Sequence, residues 1–473
     1  MNESSQQTNL TAQGLRLRGG GMCCVVAGLG RSGVSAARYL SRHGHHVRIT
    51  DSRRDPPGLA ELADDRALFD LSLGGLDEAV LGGADLLVLS PGLSPQEPIV
   101  VAAREQGMPV VGDVELFARV ATSAVIAVTG SNGKSTVCSM LAEMLPAAGI
   151  RIRAGGNLGT PALDLLGDGE PDAYVLELSS FQLDLTTSLR PRVAVLLNIS
   201  ADHLDRHGDM DSYVAAKAKI FNGCDVAVYN RDDPAVEALR PQTGATVSFG
   251  LDEPGPGQYG LHRIDGEVWL ARGDEPLLRA SALAVRGLTN VANALAALAT
   301  ADALGAPITP MLGALCGFAG LPHRMQVVAR HRDVTYINDS KATNVGAAVA
   351  AIAGLDSPFV LIAGGDAKGA DFAPLAEALA GRAIAAVLIG ADARSIGACL
   401  ESVCPVEYAS DMRSAVAIAA RLAPGGASVL LAPACASIDM YRNFAERGDD
   451  FAAAVGAVSY THLRAHETER TIA

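Results

Sequence analysis

Residues Thr129 to Thr136 read T-G-S-N-G-K-S-T and follow directly on the apolar run Val125-Ile126-Ala127-Val128. A β-branched run, a glycine-rich turn and Lys-Ser-Thr opening a helix form the layout of a phosphate-binding loop. In such a loop the backbone N–H groups of the turn and of the helix N-terminus cradle phosphate oxygens. Gly130, Ser131, Asn132 and Gly133 would supply the turn, and Lys134 would reach the outer phosphates. The Ser135 hydroxyl would hold Mg2+, with Thr136 beside it in the first helical turn. Val137, Met140, Leu141, Met144 and Leu145 fall on one face and support that helix. Val128 stands where the standard loop has glycine, so this is the shorter G-x-x-G-K-S form. A glycine turn of purely structural purpose is the competing reading.

A second chemical signal is Glu177, a lone carboxylate at the end of the apolar strand A-Y-V-L-E-L, beside Ser179 and Ser180. Burying a carboxylate is costly unless a cation compensates, so a Mg2+ ligand is the natural account, against an exposed strand-end glutamate. A third is Gly28-Leu29-Gly30-Arg31-Ser32-Gly33, a full G-x-G-x-x-G between a strand and a helix, with Asp51 ending the next strand. Alone this favours a nicotinamide or flavin enzyme. The turn, however, places backbone amides against any diphosphate, including that of a UDP-linked substrate, and it can also be a structural turn.

These residues need strand ends to carry them, and the chain supplies three blocks of alternating strands and helices. At 473 residues it suggests about three domains. The expected class is α/β. We divide the chain into a disordered tail (1–20), a first domain (21–112), a central domain (113–320), a third domain (321–457) and an appended tail (458–473). The third block repeats strand, polar loop and helix four times, through V-T-Y-I-N-D-S-K, F-V-L-I-A-G-G-D-A-K, A-V-L-I-G-A-D and S-V-L-L-A-P-A-C-A-S. Such alternation implies parallel sheets, whose ligand groups collect in loops at the carboxyl ends of the strands. Asp339, Lys341, Asp366, Lys368 and Ser437 all fall there.

Composition narrows the class further. Hydrophobic residues make up 49% and charged residues 19%, ordinary for a soluble α/β protein with a large core. The net charge of −14 argues against a nucleic-acid surface. The eight cysteines show no C-x-x-C, which suits a reduced, cytoplasmic protein. The N-terminus lacks a signal-peptide core, and the longest uncharged stretch, Leu304 to Pro322, is broken by Pro307 and Pro310, so no membrane span is expected.

Read onward, the chain resembles the Mur ligases, and within them the glutamate-adding branch. The matching segments begin with T-G-S-N-G-K-S-T, G-G-N-L-G (155–159), E-L-S-S-F-Q-L (177–183) and N-I-S-A-D-H-L-D-R-H (198–207). They continue with Y-V-A-A-K (213–217), N-V-A-N-A-L-A-A (290–297), L-P-H-R (321–324) and N-D-S-K-A-T-N (338–344). G-G-D-A-K-G-A-D-F (364–372) and P-A-C-A-S-I-D-M-Y-R-N-F-A-E-R-G (433–448) complete the series, which runs over roughly residues 22–457. Ala201 and Ala367 are minor departures; neither removes a charged or metal-binding group.

The resemblance implies a three-domain α/β fold: a Rossmann-like N-terminal domain, a central P-loop ATPase-like domain with a mostly parallel sheet, and a Rossmann-like C-terminal domain. It implies an ATP-driven ligation of D-glutamate to UDP-N-acetylmuramoyl-L-alanine in cytoplasmic peptidoglycan precursor synthesis, by a monomer. The alanyl carboxylate attacks the γ-phosphate, and the amine of glutamate displaces phosphate from the acyl phosphate. Two Mg2+ ions are implied, held by Ser135, Glu177, His203 and a CO2-derived carbamate on Lys217; Lys219 is the nearby decoy. Lys134, Glu177, His203 and Lys217 form the implied catalytic set. Asn157 lies near the reacting phosphate, Asn290 and Asn293 at the adenine, and Arg324 and Asp339 at the phosphates and ribose. A helix-capping role is the alternative for the two asparagines.

For the UDP-sugar the implied residues are Ser32, Asp51, Ser52, Arg53, Ser90 and Gly92 in the first domain, with Ser179 and Gln182. For glutamate they are Lys341, Thr343, Lys368, Ser437 and the backbone near Phe444. Two lysines select two carboxylates and not the handedness of the carbon between them, so the D configuration comes from the resemblance alone. A folylpolyglutamate synthetase-like ligase, a dehydrogenase and a non-catalytic nucleotide-binding regulator are the alternatives. The first would not be expected to join a UDP-type first domain to D-S-K-A-T-N, the second lacks a hydride-handling set, and the third would not be expected to keep Lys134, Glu177, His203 and Lys217 together.

Overall fold

The computed structural model describes residues 21–457 apart from Asp168, Arg286 and Asp356; the tails expected over 1–20 and 458–473 lie outside the described residues. The first sheet comprises β1 (Cys23–Ala27), β2 (His46–Asp51), β3 (Phe69–Leu73), β4 (Leu86–Leu89) and β5 (Val110–Val111), in the order β3-β2-β1-β4-β5. All its pairs are parallel. The strand order reverses between β1 and β4, and the glycine turn at 28–33 and the Ser90-Pro91-Gly92 loop follow those two strands. Both loops therefore border the crevice where open α/β sheets bind ligands.

The central sheet contains β6 (Ala124–Thr129), β7 (Ile152–Gly156), β8 (Ala173–Glu177), β9 (Val193–Leu196), β10 (Val226–Asn230), β11 (Ala245–Phe249), β12 (Tyr259–Ile264), β13 (Glu267–Arg272) and β14 (Glu275–Arg279). Their order is β14-β13-β12-β11-β10-β9-β6-β8-β7. The run from β7 to β12 is parallel, and β12, β13 and β14 extend it as an antiparallel meander. The helices Lys134–Ala147 and Leu288–Leu304 pack together on this sheet through Met140, Leu141, Leu295 and Leu298, all buried. The stretch 304–322 contains the helix Ile308–Gly317, and no helix among the described residues is long and apolar enough to cross a membrane.

The third sheet consists of β15 (Gln326–His331), β16 (Val334–Asn338), β17 (Phe359–Gly364), β18 (Ala383–Ile389), β19 (Val406–Tyr408) and β20 (Ser428–Leu431), ordered β15-β16-β20-β17-β18-β19. The four strands expected from sequence are its centre. The edges β15, antiparallel to β16, and β19 were not anticipated: β19 has three residues, and none of the six in β15 is fully buried. Apolar clusters cover both faces of the sheet.

The first and central sheets share one apolar cluster, which runs from Val26 and Leu40 through Phe117 to Tyr174 and Ala194. The helix Asp113–Ala118 is the joint between them. From it the buried Glu115 accepts the Thr187 and Ser188 N–H groups at 2.7 and 2.9 Å, the Ser188 hydroxyl at 2.7 Å and the Arg119 guanidinium at 2.8 Å. Burial would raise the Glu115 carboxyl, but these donors outweigh it and hold it below its ordinary value of 4.5. A depressed carboxylate stabilises the fold above its unfolded-state pKa, and that contribution is lost as pH falls through the folded value. Glu115→Gln should cost about 2 kcal/mol at pH 7 in urea denaturation, with the gap to the parent narrowing as pH falls below 4.5.

Candidate active site

The expected phosphate loop leaves β6 at Thr129, whose hydroxyl donates to the Leu178 carbonyl at 2.8 Å and ties the loop to the end of β8. Gly130 and Gly133 both have positive φ, 155° and 86°. A Cβ on Gly133 would meet Asn293 Oδ1 at 2.5 Å, so only glycine lets the turn pass under the helix Leu288–Leu304. That helix is capped by Gly287 without a side-chain bond, and Asn293 is buried against the turn, which is no capping role. Asn290 lies in the same helix's first turn, half-buried. Lys134 is folded back, donating to the Gly130 and Ser131 carbonyls at 2.7 and 2.9 Å. Burial lowers its pKa and Arg324 reinforces the shift, while Glu177 opposes it. Thr136 is buried in the first helical turn.

At the centre stands Glu177, 3% exposed. One carboxylate oxygen accepts the Ser135 hydroxyl at 2.6 Å and the other the Asn157 amide at 2.9 Å. Arg324, arriving from the third domain, donates to Ser135 Oγ at 2.8 Å. Mg2+ binds through one or two carboxylates completed by phosphate oxygens and water. A buried carboxylate beside a serine hydroxyl, facing a phosphate-type loop, fits that ion. Among the described residues no group of three or more His, Cys, Asp or Glu side chains gathers as a metal cage.

Lys217, on the helix Met210–Ala218, is 2% exposed, donates to the Gly130 carbonyl at 2.9 Å and lies 4.6 Å from the centre of the Tyr213 ring. Its pKa is well below the ordinary lysine range, chiefly through burial and then through Lys134, with Asp202 opposing. A neutral amine is the form that reacts with CO2, so the environment fits a carbamate. Lys219 instead pairs with Asp184 at 2.8 Å on the exterior. His203 takes a left-handed backbone, φ 56°, before the short helix Leu204–His207, and its ring packs 4.9 Å from Phe181. Burial and Lys134 lower its pKa against the pull of Asp202.

The third domain closes over these groups. Asn344 donates to Asp202 at 2.9 Å, and Gly346 lies so near Ser200 that a Cβ would meet its Oγ at 2.7 Å. The result is a cavity of about 280 Å³ lined by Ser131, Asn132, Gly133, Lys134, Ser135, Asn157, Glu177, Ser179, His203 and Lys217, and by Arg324, Lys341, Thr343 and Asn344 from the third domain. Burial pushes Lys341 down to about 8, helped by Arg324 and Lys134, and its ammonium lies 4.3 Å from the centre of the Phe444 ring. Asp339 is pushed up to about 6 by burial, opposed by the Met325 N–H and Arg324. Lys368 is exposed and Ser437 buried, and neither lines the cavity.

The first-domain residues form a separate group. All four lone-pair directions of Asp51 are used: Oδ2 accepts Leu29 N–H at 2.7 Å and Arg53 Nη2 at 2.8 Å, and Oδ1 accepts Arg53 N–H and Nε at 2.9 Å. Burial would raise this carboxyl, but Arg53 and Leu29 outweigh it and keep it low. Asp51 thus braces the glycine turn, and it reaches a ligand only if Arg53 swings away. Ser90 donates to the Gly28 carbonyl at 2.6 Å, and Ser52 and Gly92 are exposed. In the central domain Ser179 and Gln182 form a capping box on the helix Ser180–Asp184, with Gln182 buried.

Sequence reasoning passed over Tyr213, Asn344 and Phe181. Tyr213 OH meets Ser131 Oγ at 2.9 Å and precedes Lys217 by one helical turn, a spacing that placed both on one face. Asn344 and Phe181 carried no signal of their own, because their neighbours come from other segments.

Fold and cavity together define a three-domain phosphate-loop protein whose third domain completes the site. Three family models match in chain order: the Mur ligase MurD-like N-terminal domain (22–112), the Mur ligase middle domain (128–301) and the Mur ligase glutamate ligase domain (323–435). The UDP-N-acetylmuramoylalanine–D-glutamate ligase of Nitrosococcus oceani is 50% identical over 433 residues, 91% of this chain and 96% of that one. Its counterpart in Acinetobacter baylyi is 47% identical over 442 residues, 92% of this chain and 98% of that one. Among solved structures, the UDP-N-acetylmuramate-alanine ligase of Thermotoga maritima has a TM-score of 0.60 at 19% identity, covering 93% of this chain and 100% of that one. FolC of E. coli has a TM-score of 0.54 at 20% identity, covering 74% and 93%, and shows a shared fold. The chain belongs to the Mur ligase family.

Gly133→Ala should lower ATP affinity at least about tenfold in calorimetric titration, since a left-handed alanine alone costs about 1–2 kcal/mol and Asn293 must also move.

Proposed function

We propose that this chain joins the amine of D-glutamate to the alanyl carboxylate of UDP-N-acetylmuramoyl-L-alanine, with ATP converted to ADP and phosphate, in cytoplasmic peptidoglycan precursor synthesis. The observation that carries this is the single cavity in which Lys134, Ser135 and Glu177 of the phosphate loop region meet Arg324 and Lys341 of the third domain. The close relatives supply the substrates by their names. In this reading 21–112 takes the nucleotide sugar, 113–320 the ATP and 321–457 the amino acid, in a monomer.

The first step brings a carboxylate to a polyphosphate, two anions, so cations and positioning supply most of the catalysis. Lys134 leaves the loop carbonyls for the outer phosphates, and Arg324 reaches the same oxygens from the opposite side. Mg2+, two ions in our reading, held by Ser135, Glu177, His203 and the Lys217 carbamate, would neutralise charge on the transferred phosphoryl group. Lys341 and Thr343 bind one carboxylate of glutamate; Lys368 and Ser437 serve the other from the adjoining loops. The third domain excludes water from the acyl phosphate, which otherwise hydrolyses.

Phosphate release from ATP and Mg2+ with UDP-N-acetylmuramoyl-L-alanine should depend on D-glutamate and not on L-glutamate. Absence of release with either, in folded protein that binds ATP, would sink the proposal. Lys217→Met should lower kcat at least about 100-fold while equilibrium binding of ATP stays within about threefold. Because Lys341 titrates near 8 and only its cationic form attracts a carboxylate, KM for D-glutamate should rise as pH climbs above 8. A KM flat from pH 7 to 9 would remove Lys341 from that role.

A further inference from the structure

One side chain joins the third domain to the central one without a part in the chemistry above. Asn344 is 8% exposed and performs two tasks with the two ends of its amide. Its Oδ1 accepts the Ala347 N–H at 2.8 Å and so caps the helix Val345–Ala353. Its Nδ2 donates across the domain boundary to Asp202 Oδ2 at 2.9 Å. Two residues further on, Gly346 leaves room for Ser200, whose Oγ a Cβ there would meet at 2.7 Å. The start of this helix is therefore fitted to the loop 200–202 by shape as well as by a hydrogen bond.

That loop is braced on the phosphate turn. The Ser131 N–H donates to the Asn198 carbonyl at 2.9 Å. The Asn198 side chain clasps Asn132, accepting its N–H at 2.8 Å and donating to its carbonyl at 3.0 Å. Ser131 Oγ accepts the Ser200 N–H at 2.9 Å and donates to the Ser200 carbonyl at 3.0 Å. Asp202 uses its second oxygen, Oδ1, to accept the His203 N–H at 2.9 Å. A short continuous path thus runs from the third-domain helix, through Asn344 and Asp202, to the turn that would wrap the ATP phosphates.

The contact of Arg324 with Ser135 cannot serve the same purpose, because in the ligase reading Arg324 moves onto phosphate oxygens. Asn344 and Asp202 are free to stay together throughout. What a closed third domain must protect is the acyl phosphate. Attack of the glutamate amine on its carbonyl carbon forms the C–N bond, breaks the C–O bond to phosphorus, and releases phosphate and a proton. Attack of water at the same carbon breaks the same bond, returns the carboxylate with phosphate and protons, and leaves ATP hydrolysed without product. The domain that excludes water therefore selects the nucleophile.

We propose that Asn344 is a positioning residue that latches the third domain to the phosphate turn while the acyl phosphate exists, and so sets its partition between glutamate and water. The inference rests on the ligase reading above.

Phosphate and amide product measured in the same reaction, at saturating D-glutamate, test it. The parent should release a single phosphate per amide formed. Asn344→Asp keeps the helix cap, since aspartate and asparagine cap equally well, but sets a carboxylate against Asp202. Its ratio of hydrolysis to ligation should rise about tenfold, the effect of losing one hydrogen bond to a charged group. The excess phosphate should require the nucleotide sugar. Asn344→Ser, which keeps a capping hydroxyl and is too short to reach Asp202, should show the same excess without an added charge. Exchanging the groups, Asn344→Asp with Asp202→Asn, re-forms the bond in the reverse direction and should return the ratio toward that of the parent. Tight coupling in Asn344→Asp or in Asn344→Ser, excess phosphate without the nucleotide sugar, or loss of phosphate release altogether would overturn the proposal. So would an exchanged pair that is inactive or as uncoupled as Asn344→Asp. If Asn344→Asp does not fold, Asn344→Ser decides; failure of both to fold would make Asn344 a structural residue and also overturn it. A parent that forms no amide refutes the ligase reading, whereas a coupled parent with equally coupled variants refutes only the latch.

Discussion

The arrangement depends on one buried carboxylate. Glu177 ends β8 on the wall of the cavity, where Ser135 and Asn157 donate to its two oxygens while Arg324 and Lys134 stand close by. A lone carboxylate in such a place is expensive, so these donors cannot be moved independently. Ser135 fixes the start of the phosphate-loop helix and Asn157 fixes the loop after β7. Arg324 draws in the third domain. The carboxylate thereby gathers three separate segments of chain onto one point.

That gathering joins the central and third sheets, while the first sheet carries its own glycine turn. Each parallel sheet presents its loops at the carboxyl ends of its strands, and the chain turns those ends toward one another. The first and central sheets share a core and the joint helix Asp113–Ala118. The third sheet has its own cores and meets the central domain through polar contacts such as Asn344 with Asp202. A third domain that has its own cores and meets the central one through polar groups suits a reaction that must exclude water. The concentration of positive charge follows from the same need. Lys134, Lys217, Arg324 and Lys341 converge in one cavity, each with its pKa lowered first by burial, and an anionic ligand would reverse that cost.

Much of this was legible in the sequence, for identifiable reasons. The phosphate loop, Glu177 and the four central strands of the third sheet are local patterns in which apolar runs end in Gly, Asp, Ser or Lys, and local patterns survive folding. The antiparallel extension β12–β14 was missed although Asp265-Gly266, both with positive φ, is a strong two-residue hairpin signal. Its strands are only half-buried and carry charge, so their period is weak. Asp51 was placed correctly at a strand end, yet sequence could not show that Arg53 and Leu29 saturate its carboxylate, because those bonds depend on how the chain turns after β2. Tyr213 and Asn344 were passed over for a similar reason: their partners, Ser131 and Asp202, are 82 and 142 residues away.

The central claim is that ATP phosphates bind at the second glycine-rich turn, between the central and third domains, and that the first turn serves a different diphosphate. A crystal structure with Mg2+ and a non-hydrolysable ATP analogue tests it most directly. The account predicts the terminal phosphate among Lys134, Ser135, Glu177 and Arg324, with Lys134 released from the Gly130 and Ser131 carbonyls. An analogue seated instead on the turn at 28–33, with the cavity between the central and third domains unchanged, would contradict it.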